Sequence, residues 1–73
     1  MGKSNDYKIK VDVFKEFLKK NNLTKESFAE FYRFDKEEVE LFLEENAELK
    51  YYQVIRLAKL MHIKCDELVI SEN

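Results

Sequence analysis

The chain has 73 residues, of which 45% are apolar and 14% aromatic, with one Gly, no Pro, one Cys and a net charge of −2. A chain so short buries only about 60% of the surface its unfolded form exposes, so it needs a dense core, and this composition is that of one small, mainly helical domain. The lone Cys excludes an internal disulfide and fits a reducing compartment. MGKSNDYKIK holds no signal-peptide core and no run approaches the ~18 apolar residues of a membrane span, so a soluble, cytoplasmic protein with no membrane segment is expected.

Tyr7, Ile9 and Val11 alternate with polar residues, as in a strand or an extended arm, and the stretch is too short to separate the two. Residues 1–11 are therefore read as an N-terminal arm, residues 12–70 as the domain and residues 71–73 as a tail. Phe14, Phe17 and Leu18 recur at helical spacing, with Asp12 placed to cap their start and Asn21 and Asn22 to stop them, because Asn tolerates the left-handed turn conformation. This predicts a first helix over 12–21. Thr24, with Glu26 and Ser27 after it, reads as an N-cap region before Phe28, Ala29 and Tyr32, which predicts a second helix over 25–32. Asp35 and Glu38 form an Asp-x-x-Glu variant of the capping box ahead of Val39, Phe42 and Leu43, for a third helix over 36–45. Tyr51, Val54, Ile55, Ala58 and Met61 make a wide apolar stripe, predicting a fourth helix over 50–61, and a short fifth covers 65–69. The expected core is Phe14, Phe17, Phe28, Ala29, Phe34, Val39, Phe42, Tyr51, Val54, Ala58 and Met61, with Cys65 also placed inside.

Charge is unevenly placed along this all-α pattern. Residues 1–25 hold seven Lys and three acids, for +4; residues 26–49 hold two basic and nine acidic residues, for −7; residues 50–73 come to +1. The middle of the chain is acidic.

Two short helices separated by about three residues, with the small Ala29 in the first to let the axes approach, make a helix-turn-helix over about 25–45. LTKESFAEFYRFDKEEVELFL and VIRLAKLMHIKCDELV, at the spacing they have here, resemble the XRE family, the Cro and phage-repressor type of DNA-binding domain, from Phe14 to Leu68. The resemblance implies a five-helix all-α domain and a DNA-binding transcriptional regulator. In the family the start of the second helix pins a phosphate, which assigns that role to Thr24 and Lys25, and the third helix enters the major groove, which assigns Lys36, Glu37, Glu38, Leu41 and Glu40 to reading positions. Positions where the family favours Gly hold Asn22, Arg33, Glu45 and His62.

Only Lys36 is a conventional base-reading or backbone-binding choice on that third helix. Seven acids against one Lys between Asp35 and Glu48 remove the counterion-release term that dominates DNA affinity and add repulsion. DNA binding, if retained, is therefore expected to be weak or atypical. The alternative is a protein-interaction module or antagonist on the same scaffold, docking a basic protein or a second copy, and Phe31, Leu41 and Tyr52, apolar where the family usually has polar residues, suggest the contact surface. Leu41 in particular is expected to point outward within an acidic rim. His62 and Cys65 are too few for a metal, which needs three or four ligands, and no Ser/His/Asp set or Gly-rich loop exists. No catalytic residue, metal or cofactor is expected, and the chain is not read as an enzyme.

Overall fold

The computed structural model describes residues 7–70, which carry five helices: α1 (Val11–Lys20), α2 (Lys25–Tyr32), α3 (Lys36–Leu43), α4 (Tyr51–Met61) and α5 (Cys65–Leu68). The architecture is all-α. Most of the predicted arm and the whole of the tail lie outside the described residues. The described residues divide into two compact units, one running from Val11 to Glu45 and the other joining residues 7–10 with residues 46–70.

In the first unit, α1 begins one residue earlier than its spacing suggested, so Asp12 is not its cap but lies in the first turn, where a carboxylate still favours the helix dipole. The helix ends as expected at the paired asparagines. Asn22 takes φ 55°, and the amides of Asn22 and Leu23 donate to the carbonyls of Lys19 and Leu18, the Schellman pattern, while the Asn21 side-chain amide donates to Phe17 O at 2.9 Å. Val11, Phe14 and Leu18 are buried along one face.

Helix α2 opens with a reciprocal cap: Thr24 Oγ1 accepts from the Ser27 amide at 3.1 Å and Ser27 Oγ accepts from the Thr24 amide at 2.8 Å. It closes at Arg33, held at φ 61°, with the amides of Arg33 and Phe34 both donating to Ala29 O. Ala29 is buried, and the connection to α3 is three residues long. Asp35 precedes α3 as predicted but its side chain makes no cap hydrogen bond, contrary to the expected box; only its carbonyl serves the helix, accepting from Glu38 and Val39. Helix α3 also stops at Leu43 rather than at residue 45. Glu44 and Glu45 would place two negative charges on the negative end of the helix dipole, which is the unfavourable end for them, and Glu44 turns extended instead. The left-handed residue that follows is Asn46, φ 66°, and not Glu45, since Asn adopts that conformation at lower cost.

Aromatic rings from all three helices and from the connection between α2 and α3 knit this unit together. Phe28 is central: Phe14 meets it edge-on at 5.1 Å, Phe34 stacks on it at 5.3 Å, and Tyr32 lies tilted against it at 4.9 Å. Phe42 in turn takes Phe14 and Phe34 edge-on at 5.5 Å each. Phe17 proves half-buried rather than buried, because it sits at the margin of the cluster with only Phe28 and Tyr32 as ring neighbours.

In the second unit, the alternation of Tyr7 and Ile9 produces two isolated antiparallel bridges, one to Leu49 and one to Val69, so the segment is neither a regular strand nor a free arm. Tyr7 exchanges both backbone hydrogen bonds with Leu49 at 2.7 Å, while Lys10 donates to Leu68 O and Lys8 O accepts from Ile70. Helix α4 is preceded by Lys50 as its N-cap, whose amide is taken by the Gln53 side-chain oxygen at 2.9 Å, and buries Val54, Leu57, Ala58 and Met61. Leu57 is buried although the predicted stripe did not include it, and Ile55, which it did include, is only half-buried. Tyr51 is 53% exposed, not buried as predicted, because it occupies the first turn with the Tyr7 ring, at 5.5 Å, on one side. Cys65, also expected inside, is a half-buried free thiol at the start of α5.

His62 ends α4 in the left-handed region at φ 61°, with its own amide and that of Ile63 closing a second Schellman pattern. A non-Gly residue there costs about 1–2 kcal/mol, and Gly loses about 0.5–1 kcal/mol more backbone entropy on folding. The exposed His62→Gly is therefore expected to raise stability by about 0.5–1 kcal/mol. Urea unfolding checks this, and a lowered midpoint would mean that the imidazole contributes more than the strain it imposes.

Candidate functional site

The surface that the sequence singles out lies on α2 and α3, within the first unit. The burial rhythm of α3 divides it cleanly: Val39 and Phe42 are buried, Glu38 and Leu43 are half-buried, and Lys36, Glu37, Glu40, Leu41 and Glu44 form an exposed strip. Lys36, Glu37, Glu40 and Leu41 recur at one-, three- and four-residue spacing and so share one side of the helix, with Glu44 exposed just past its last residue. Of the assigned reading positions, Glu38 alone is turned partly inward. Leu41 is 37% exposed, so it is outside the core as expected, with Glu37, Glu40 and Glu44 along the same strip.

At the start of α2, the Thr24 hydroxyl is engaged in the helix cap, lying 3.0 Å from Ser27 Oγ as well as accepting from the Ser27 amide. Lys25 is also engaged. Its Nζ lies 2.7 Å from Oε2 of Glu40, an ion pair that ties the first residue of α2 to the middle of α3. The Glu40 hydrogen bond, and then its charge, hold the Lys25 ammonium above its ordinary pKa, with Glu26 adding a smaller push in the same direction. Lys25 is thus a permanent cation whose charge is already answered.

Lys25 and Lys36, the two basic residues assigned to nucleic acid, do come together, lining one shallow recess with Glu26, Val39 and Glu40. The recess is electrically balanced, two cations against two carboxylates. Sequence reasoning found both lysines and missed their carboxylate partner, because Lys25 and Glu40 are fifteen residues apart and only the crossing of α2 and α3 brings them into contact. The remaining clustered basic residues of this unit, Lys15, Lys19 and Lys20, are exposed on α1.

The apolar residues proposed for protein contact are all exposed. Phe31 is 70% exposed near the end of α2, with its ring supported edge-on by Tyr32 at 4.8 Å, and Tyr52 is 67% exposed on α4 in the other unit. Among the described residues, no three His, Cys, Asp or Glu side chains gather as metal ligands, and no helix is long and apolar enough to cross a membrane. Comparison of the chain with protein-family models, with curated proteins and with solved structures gave no match.

Proposed function

We propose that α2, the Arg33-Phe34-Asp35 connection and α3 form a helix-turn-helix of the XRE type, and that the chain is a DNA-binding regulator with a weak sequence-independent grip. The observation that supports this best is the exposed strip of α3, presented by a helix that starts three residues after a well-capped α2. Its side chains have base-reading chemistry of an unusual kind. A Glu accepts from the amino group of cytosine, and an exposed aliphatic such as Leu41 can pack on the methyl of thymine. Backbone affinity is small on this account, since Lys25 is paired with Glu40, the recess it lines with Lys36 holds as many carboxylates as cations, and most non-specific affinity is counterion release by cations. Random duplex at ~0.15 M salt is held more weakly than ~10⁻⁴ M, the weak end of ordinary non-specific binding.

Selection from a random duplex library at low salt, followed by titration of the recovered sequence against a scrambled one, tests the reading. The recovered duplex should bind at least about tenfold more tightly, within the 1–3 kcal/mol that one good base contact contributes, and Glu37→Ala or Leu41→Ala should reduce that preference. Recovery of no sequence above background sinks it.

A second reading has its own support. Leu41 is an exposed apolar side chain beside Glu37 and Glu40 on α3, Phe31 is exposed near the end of α2, and an apolar centre with a charged rim is the composition of a protein interface that selects partners by complementary charge. The partner would then be a basic protein surface or a second copy of the chain. Failure of the library selection hands the α3 strip to this reading.

A further inference from the structure

We infer that Glu40 is an internal competitor for the phosphate backbone, holding Lys25 out of DNA contact and setting how weakly the chain grips any sequence. This rests on the DNA reading above. Its starting point is a contact that the other exposed carboxylates of α3 do not make: Glu40 Oε2 sits 2.7 Å from Lys25 Nζ, whereas Glu37 and Glu44 share the strip without touching that lysine. A phosphate oxygen and a carboxylate oxygen ask the same of an ammonium group, a short charge-assisted hydrogen bond. DNA can engage Lys25 only by displacing Glu40, and a displaced Glu40 then stands as an unpaired anion beside the same recess. Each event opposes binding, and neither depends on base sequence.

The arrangement separates two effects that a count of charges would merge. Glu37 and Glu44 act on DNA through space, so neutralising one of them removes only repulsion. Neutralising Glu40 removes repulsion and also releases a cation. Glu40→Gln and Glu37→Gln are therefore equal in net charge and unequal in consequence. Both side chains are exposed, so neither change disturbs the aromatic cluster, and matching helical signals in circular dichroism will confirm that the variants are comparably folded.

The test is a titration of random-sequence duplex at several salt concentrations with the full chain and four variants: Glu40→Gln, Glu37→Gln, Lys25→Ala, and Lys25→Ala combined with Glu40→Gln. At ~0.05 M salt Glu40→Gln should bind about five- to tenfold more tightly than the parent, and its log affinity should fall with log salt more steeply by about 0.9, the slope of one added phosphate contact. Glu37→Gln should gain only about twofold, the worth of one charge some 10 Å away in water. Lys25→Ala should weaken the parent by about twofold, because it removes a cation and leaves Glu40 unpaired, and should cancel most of the gain in Glu40→Gln, since only there is the lysine free to meet phosphate. Equal gains from Glu40→Gln and Glu37→Gln, with unchanged slope, overturn this inference and leave the DNA reading standing. Absence of binding by every variant at low salt overturns the DNA reading, and the inference with it.

Discussion

Phe28→Ala is expected to destabilise the protein by about 3–5 kcal/mol, the usual range for deleting a fully buried phenyl ring. The side chain is 0% exposed and contacts rings from α1, from α2 and from the connection before α3, so the cavity opens where three segments converge and none can collapse into it alone. Stability of about 0.05–0.15 kcal/mol per residue gives a chain of this length roughly 4–11 kcal/mol in total. The variant should therefore unfold at a much lower urea concentration, and at the low end of that range it is partly unfolded in water. Phe17→Ala, at the half-buried margin of the same cluster, should cost clearly less. Equal losses for the two would show that Phe28 does not hold the central place its ring contacts indicate.

The second large effect belongs to the proposed DNA reading. Changing Glu37, Glu40 and Glu44 together to Gln should tighten binding to duplex by about 10- to 100-fold at low salt, combining the loss of three repulsive charges with the release of Lys25. All three are exposed, Glu37 and Glu40 on α3 and Glu44 just past its end, so the substitutions alter the field outside the helix and not its packing. Screening sets the signature: at ~0.15 M salt the Debye length is about 8 Å, and the gain should shrink to a few-fold. A titration at two salt concentrations reads both numbers. A gain that ignores salt would come from something other than charge, and no gain at all would mean that this side of α3 does not face the duplex.

Much of the fold was legible because local chemistry decided it. Thr24 and Ser27 cap α2 through atoms three residues apart, and Asn22 stops α1 through its own backbone, so neither needed knowledge of the rest of the chain. The errors arose where a local rule met a stronger term. Asp35 and Glu38 have the spacing of a capping box, but the carbonyl of Asp35 already closes the first turn and its exposed carboxylate is left to solvent. Glu45 has the position of a helix-ending residue, but Asn46, next to it, reaches the left-handed conformation more easily. Tyr51 lies on the apolar stripe of α4 by periodicity and is exposed because the stripe begins before the packing does. At the candidate site, the exposure of Leu41, Glu37 and Glu40 followed from helical spacing and that of Phe31 from the family resemblance, while Glu38 proved half-buried. The Lys25–Glu40 pair did not, because it depends on the angle between two helices, which no spacing encodes.

The bridges of residues 7 and 9 bear on the order in which the chain can assemble during synthesis. Every ring contact of the Val11–Glu45 unit falls between Phe14 and Phe42, so all the members of that cluster have been made once Phe42 has left the peptidyl-transfer site. Ile9 must wait for Val69, sixty positions later (69 − 9), and closing so long a loop carries an entropy penalty that short-range contacts avoid. Tyr7 can pair once Leu49 is made, but until Leu68 to Ile70 follow, Lys8 and Lys10 lack the backbone partners that the folded unit gives them. Their amides and carbonyls remain an open template for other chains, so the interval before Val69 is translated is when this protein is most exposed to pairing with the wrong strand.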